Sequence, residues 1–144
     1  MQTYELHPLE GVGPIKFGAT KDQVRKTLGE PESCHGHTEY FLGSSIQVTY
    51  STAGLVEFIE LASDVVVAWS GIELFTTPVS DLVAAISQFS SLATEESEPG
   101  YTFTFPEAEV GFWRPTQPDE DDPEDGKYFE SVGLGCKGYY SESI

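Results

Sequence analysis

Gly13-Pro14-Ile15-Lys16-Phe17-Gly18-Ala19-Thr20-Lys21-Asp22-Gln23-Val24, followed by Leu28-Gly29-Glu30-Pro31, holds a short helix together with both of its ends. Thr20 and Gln23 have the spacing of a capping box, in which each side chain satisfies the other residue's backbone N–H. Val24 and Leu28 lie one turn apart on one face. Gly29 suits the left-handed stop, and Pro31 forbids continuation. The pattern predicts a helix over about residues 20–28.

Working outward, Glu39 to Leu42, Ile46 to Tyr50 and Leu55 to Leu61 are β-prone runs. Ser51-Thr52-Ala53-Gly54 is turn chemistry between the last two, so the three form an antiparallel meander. Val65 to Trp69 is an apolar, β-branched strand. Thr77-Pro78 then predicts a second helix, with Thr as cap and Pro at the first helical position. Val79, Leu82, Val83, Ile86 and Phe89 recur at helical spacing, a stripe that faces a core. Tyr101 to Phe105 alternates as a half-buried strand does. Glu109 to Arg114 and Lys127 to Leu134 complete a second set of three strands.

The order repeats. Ile15-Lys16-Phe17 leads to Thr20, Val24 and Leu28; Ile72-Glu73-Leu74 leads to Thr77, Leu82 and Ile86, with a one-residue slip inside the helix. A period of about 57 residues is too long for the common solenoid repeats. The expected fold is α+β: two tandem helix-plus-antiparallel-meander units, about 12–62 and 65–135, within one domain spanning 1–144. Short helices pack on a mainly antiparallel sheet.

The segment from Gly13 to Pro31 resembles the helical start of the SmpA/OmlA superfamily, which includes the β-lactamase inhibitor protein. The phrase there is roughly I-x-x-G-M-T-x-x-x-V-x-x-x-L-G-x-P; Ala19 stands where Met is usual, a packing difference. The resemblance covers about twenty residues, and its motif is structural. It implies a fold, a duplicated unit as in the inhibitor, and kinship with small bacterial proteins that include immunity proteins. It names no reaction.

The chain has 144 residues, with 39% hydrophobic and 12% aromatic, enough to close one core. Lys and Arg number 7 against 24 Asp and Glu, a formal net charge of −17. That balance argues against a nucleic-acid binder, which needs a basic footprint, and disfavours an anionic membrane surface. No apolar run reaches 18 residues, and the N-terminus lacks the basic and apolar regions of a signal peptide, so a cytoplasmic protein is expected. Lys16, Lys21, Arg25 and Lys26 cluster, and no Lys or Arg lies between Thr27 and Trp113. Residues 118–126, PDEDDPEDG, carry six acids and two prolines. Such a segment is a solvated loop, serving solubility or recognising a basic partner. The calcium-loop pattern fails, because counting from Asp121 places Pro123 third and Val132 twelfth.

Reaction chemistry is sparse. Gly133-Leu134-Gly135-Cys136-Lys137-Gly138 matches G-x-G-x-x-G, yet with six residues after it no phosphate-holding helix is expected there. Those glycines are expected to relax a sheet edge or a bulge. Cys34-His35-Gly36-His37 is spaced too tightly for one zinc ion and reads as a loop with a reduced thiol. His7, His35 and His37 lie in no nucleophile motif, and no P-loop is present. No catalytic residue, cofactor or metal site is therefore assigned.

Among the aromatic residues Trp69, Phe112, Trp113, Tyr128, Phe129, Tyr139 and Tyr140, the two beside the acidic loop stand out as interface anchors. The expected function is a non-catalytic protein-binding module, a bacterial immunity or inhibitor protein that occludes a basic toxin or enzyme. Its contact residues are Trp113, Asp119, Glu120, Asp121, Asp122, Glu124, Asp125 and Tyr128. The alternatives are a structural module that self-associates as a homodimer through an exposed strand, and a carboxylate-dependent hydrolase.

Overall fold

A computed structural model describes residues 2–96 and 98–139. Strand β1 (Thr3–His7) is followed by the two-residue strands β2 (Gly11–Val12) and β3 (Ile15–Lys16), then helix α1 (Lys21–Leu28). Four strands come next: β4 (Ser33–His35), β5 (Thr38–Phe41), β6 (Ile46–Tyr50) and β7 (Val56–Ala62). The chain continues through β8 (Val66–Trp69), β9 (Ile72–Glu73) and helix α2 (Val79–Ile86). It ends in β10 (Thr102–Phe105), β11 (Val110–Trp113) and β12 (Ser131–Gly135).

These strands build two sheets. One has the order β3-β2-β1-β8-β9 and is antiparallel except where β1 lies parallel to β8, Tyr4 opposite Val67. The other is antiparallel throughout, in the order β10-β11-β12-β7-β6-β5-β4. Both halves of the chain contribute to both sheets, and the seams between halves are β1/β8 and β7/β12. One continuous buried cluster draws on both sheets and both helices, including Tyr4, Leu6, Val24, Ile59, Leu82, Phe105 and Leu134. The architecture is mixed α+β with two short helices, as the sequence implied.

Local chemistry explains the first helix. Thr20 Oγ1 accepts the Gln23 N–H at 3.3 Å, and Gln23 Oε1 accepts the Thr20 N–H at 2.9 Å, closing the capping box. Gly29 ends the helix at φ 88°, a conformation open to glycine, and its N–H reaches the Arg25 carbonyl. The three strands expected at 39–42, 46–50 and 55–61 form as β5, β6 and β7 to within a residue, with Ile46, Val48 and Tyr50 inward from β6.

Several expectations need correction. Thr77 does not cap α2: the N-cap is Pro78, no side chain caps the helix, and the Thr77 hydroxyl donates back to the Glu73 carbonyl at 2.6 Å. Helix α2 stops at Ile86, so Phe89 follows it, half-exposed and edge-on to Trp69 at 5.4 Å. The last strand begins at Ser131 rather than Lys127. Gly133 and Gly135 do not sit at an edge; β12 is flanked by β11 and β7 in the middle of the larger sheet. Cys34 and His35 form an outer strand that pairs with β5 rather than a free loop, and no disulfide joins Cys34 to Cys136. Tyr140 lies outside the described residues.

Candidate functional site

The acidic segment leaves β11, and its residues Pro118 to Asp125 are exposed. Its shape comes from its own carboxylates. Asp119 Oδ1 accepts the N–H groups of Asp121 at 2.9 Å and Asp122 at 2.7 Å. Asp122 Oδ1 accepts the Asp125 N–H at 3.1 Å. Two successive Asx-type turns thus replace water as the partner of the loop backbone. Glu120, Asp121 and Asp125 project from this frame. Glu124 pairs with Lys127 at 3.2 Å, which raises the ammonium's affinity for its proton.

The base of the loop is clamped. Arg114 Nε donates to the Gly100 carbonyl and Nη1 to the Gly126 carbonyl, both at 2.8 Å. Its guanidinium also stands 5.5 Å from the Phe103 ring centroid. Burial pulls this guanidinium below its ordinary value, and Tyr101 opposes the shift. Gly126 has φ +77°, and a Cβ there would run into the Thr116 carbonyl. On the far side the Lys127 carbonyl accepts the Val79 N–H at 2.8 Å, which seats the returning chain on the start of α2.

The two expected anchors sit apart. Tyr128 is 38% exposed beside the loop, its ring 5.8 Å from the Lys127 ammonium. Trp113 is 40% exposed and lines a groove on the outer face of the larger sheet with Glu60, Glu96, Thr104 and Ser131. Its backbone closes the chain beyond the loop, where the Trp113 carbonyl accepts the Glu130 N–H at 2.9 Å. The structure therefore groups Asp119, Glu120, Asp121, Asp122, Glu124, Asp125 and Tyr128, and places the Trp113 ring on the neighbouring sheet face. Phe112 and Phe129, by contrast, stack in the core at 4.9 Å.

In the Trp113 groove, burial raises the Glu60 carboxyl above its ordinary value. Glu96 shares the groove, but its two oxygens accept the Thr104 N–H at 2.7 Å and hydroxyl at 2.9 Å. It is thereby committed to covering β10. A two-carboxylate hydrolysis needs a second free group opposite the first. Among the described residues no group of three or more His, Cys, Asp or Glu is placed to hold a metal ion. No helix there is long and apolar enough to cross a membrane.

Two features escaped sequence reading. Glu39, 1% exposed on β5, pairs with Arg25 of α1 and accepts the Tyr50 hydroxyl at 3.0 Å. Burial, and then the bond to Glu39, push the Tyr50 phenol well above its ordinary value. Arg114 is the second, and its signal was its position as the first base after a long acidic stretch. No protein-family model, curated protein or solved structure matches this chain.

Proposed function

We propose that this chain is a non-catalytic protein-binding module, a bacterial immunity or inhibitor protein acting in the cytoplasm against a basic toxin or enzyme. The observation that supports it best is the acidic loop itself: exposed carboxylates on a backbone held by Asx turns and fixed at its base by Arg114. A charged surface already in shape loses little conformational freedom on binding, and its field steers a cationic partner to it. Tyr128 at the loop and Trp113 on the adjoining sheet face supply exposed aromatic area for anchoring. The finer ancestry belongs to the same proposal: a duplicated helix-plus-meander unit of the SmpA/OmlA type, with β7 and β12 as equivalent final strands.

The test is capture from lysate of the source organism at low and high salt, in parallel with a variant in which Asp119, Glu120, Asp121 and Asp122 are Ser. A single basic protein is expected at near-equal stoichiometry, released by salt and associating more slowly with the variant. Trp113→Ala and Tyr128→Ala should each cost about 2 kcal/mol, or about thirtyfold in Kd. An association rate unchanged by the loop variant at low salt would remove the loop from the contact.

One observation favours a second reading. The two edges of the larger sheet differ: β10 is covered by Ala93 and Glu96, whereas β4 ends the sheet with Ser33, Cys34 and His35 all exposed. An open edge of this kind suits self-association by strand pairing. A stable dimer by light scattering, with no other partner captured, would favour it.

A further inference from the structure

We infer that the groove between the start of α2 and the base of the acidic loop binds an organic carboxylate, with Arg114 as its cationic anchor. The groove encloses about 570 Å³, a volume in the range small organic ligands occupy. Pro78, Val79, Val83, Phe103, Pro118 and Pro123 give it largely apolar walls. Arg114 lines the same space and is only 8% exposed. Its Nε and Nη1 are used by the Gly100 and Gly126 carbonyls, and its Nη2 has no acceptor among the described residues.

The charge of Arg114 is the anomaly. Buried guanidinium groups are ordinarily matched by a carboxylate. This chain has 24 acids, yet both acceptors that Arg114 finds are neutral carbonyls. Lys127 at the rim is already neutralised by Glu124. A guanidinium with no carboxylate partner, held by two carbonyls and the Phe103 ring, therefore lines an apolar groove beside a helix start that no side chain caps. Ser80 and Asp81 belong to the first turn of α2, where helical geometry provides their N–H groups no acceptor and the helix dipole favours an anion. Apolar walls with one cationic end match a carboxylate carried on an apolar body, from a free acid or from the C-terminus of a peptide.

Benzoate is the first probe, followed through backbone amide NMR shifts, with benzamide as its uncharged counterpart. Saturable shifts are expected at Ser80, Gly100 and Gly126, with benzamide weaker by about tenfold or more. Arg114→Gln should abolish them. Because Arg114 also clamps the loop, Ser80→Asp provides a second variant: an acid in the first turn supports the helix while adding negative charge at the groove. It should weaken benzoate by about tenfold. Acetyl-glycyl-phenylalanine, as acid and as amide, separates the two sources. Tighter binding of the peptide acid than of benzoate assigns a chain terminus, and the reverse assigns a free acid. No saturation by either acid at millimolar concentration, equal binding of benzoate and benzamide, or benzoate binding undiminished in Ser80→Asp would overturn the inference.

Discussion

Tyr50 and Glu60 show what single polar groups do in a chain this acidic. Glu39 is buried against the strands, and its charge is held by Arg25 and the Tyr50 hydroxyl. Removing that hydroxyl leaves Glu39 Oε1 without its donor, so Tyr50→Phe should cost about 2 kcal/mol. The loss would be read as a lower urea midpoint with an unchanged slope. The folded state raises the Tyr50 phenol above its ordinary 10.0, so its contribution is complete below that pH and is lost as pH rises beyond it. Wild type should therefore lose stability above pH 10 more steeply than Tyr50→Phe. Glu60 has the same sign in a lower window. Its carboxyl is raised from 4.5 by burial, so the folded state favours the protonated form, and ionisation at neutral pH is a cost. Glu60→Gln should raise the melting temperature at pH 7, and the gain should vanish below pH 4.5. Neither role could be read from sequence, since both glutamates look like members of an ordinary acidic population until the sheet places one inward and one in a groove.

At the scale of elements, the two helices differ in how they begin. Thr20→Ala removes one half of a closed capping box and should lower stability by about 1 kcal/mol, measured by thermal or urea unfolding. The box was legible because its partners are three residues apart and need nothing else from the fold. Thr77-Pro78 carried an equally plausible signal, yet the Thr77 hydroxyl found the Glu73 carbonyl in the preceding turn and left the α2 start to a carbonyl from residue 127. That alternative is tertiary, and local propensity cannot anticipate it. The strands divide in the same way. Residues 46–50 and 55–61 are legible as β-prone runs on either side of the turn residues 51–54, whereas β1 is five residues long and finds its parallel partner β8 far along the chain. Gly133 and Gly135 looked like edge residues because glycine weakens a strand; in β12 two neighbours supply the pairing that side chains do not.

For the whole molecule, charge is the property most legible in sequence and least informative about fold. Composition alone located the acidic loop, but the groove beside it depends on Arg114 bringing together carbonyls from residues 100 and 126. No local pattern encodes that meeting. Charge does make a prediction about stability. A net −17 is spread over a small molecule, and Glu124–Lys127 is the one ion pair of the loop's carboxylates among the described residues. Like charges that remain unpaired oppose the compact state. Their reach is set by salt: the screening length is about 30 Å at about 0.01 M and about 8 Å at about 0.15 M. The melting temperature should therefore rise by about 3 °C over that range, the equivalent of about 1 kcal/mol for a chain of this size. Glu120→Gln, Asp121→Asn and Asp125→Asn together remove three charges and leave the Asp119 and Asp122 turns intact. This variant should melt higher than wild type in low salt, and the gap should close at physiological salt. A gap that persists there would locate the gain in local contacts of the loop, whereas a melting temperature indifferent to salt would mean that the acids are spaced widely enough for water alone to separate them.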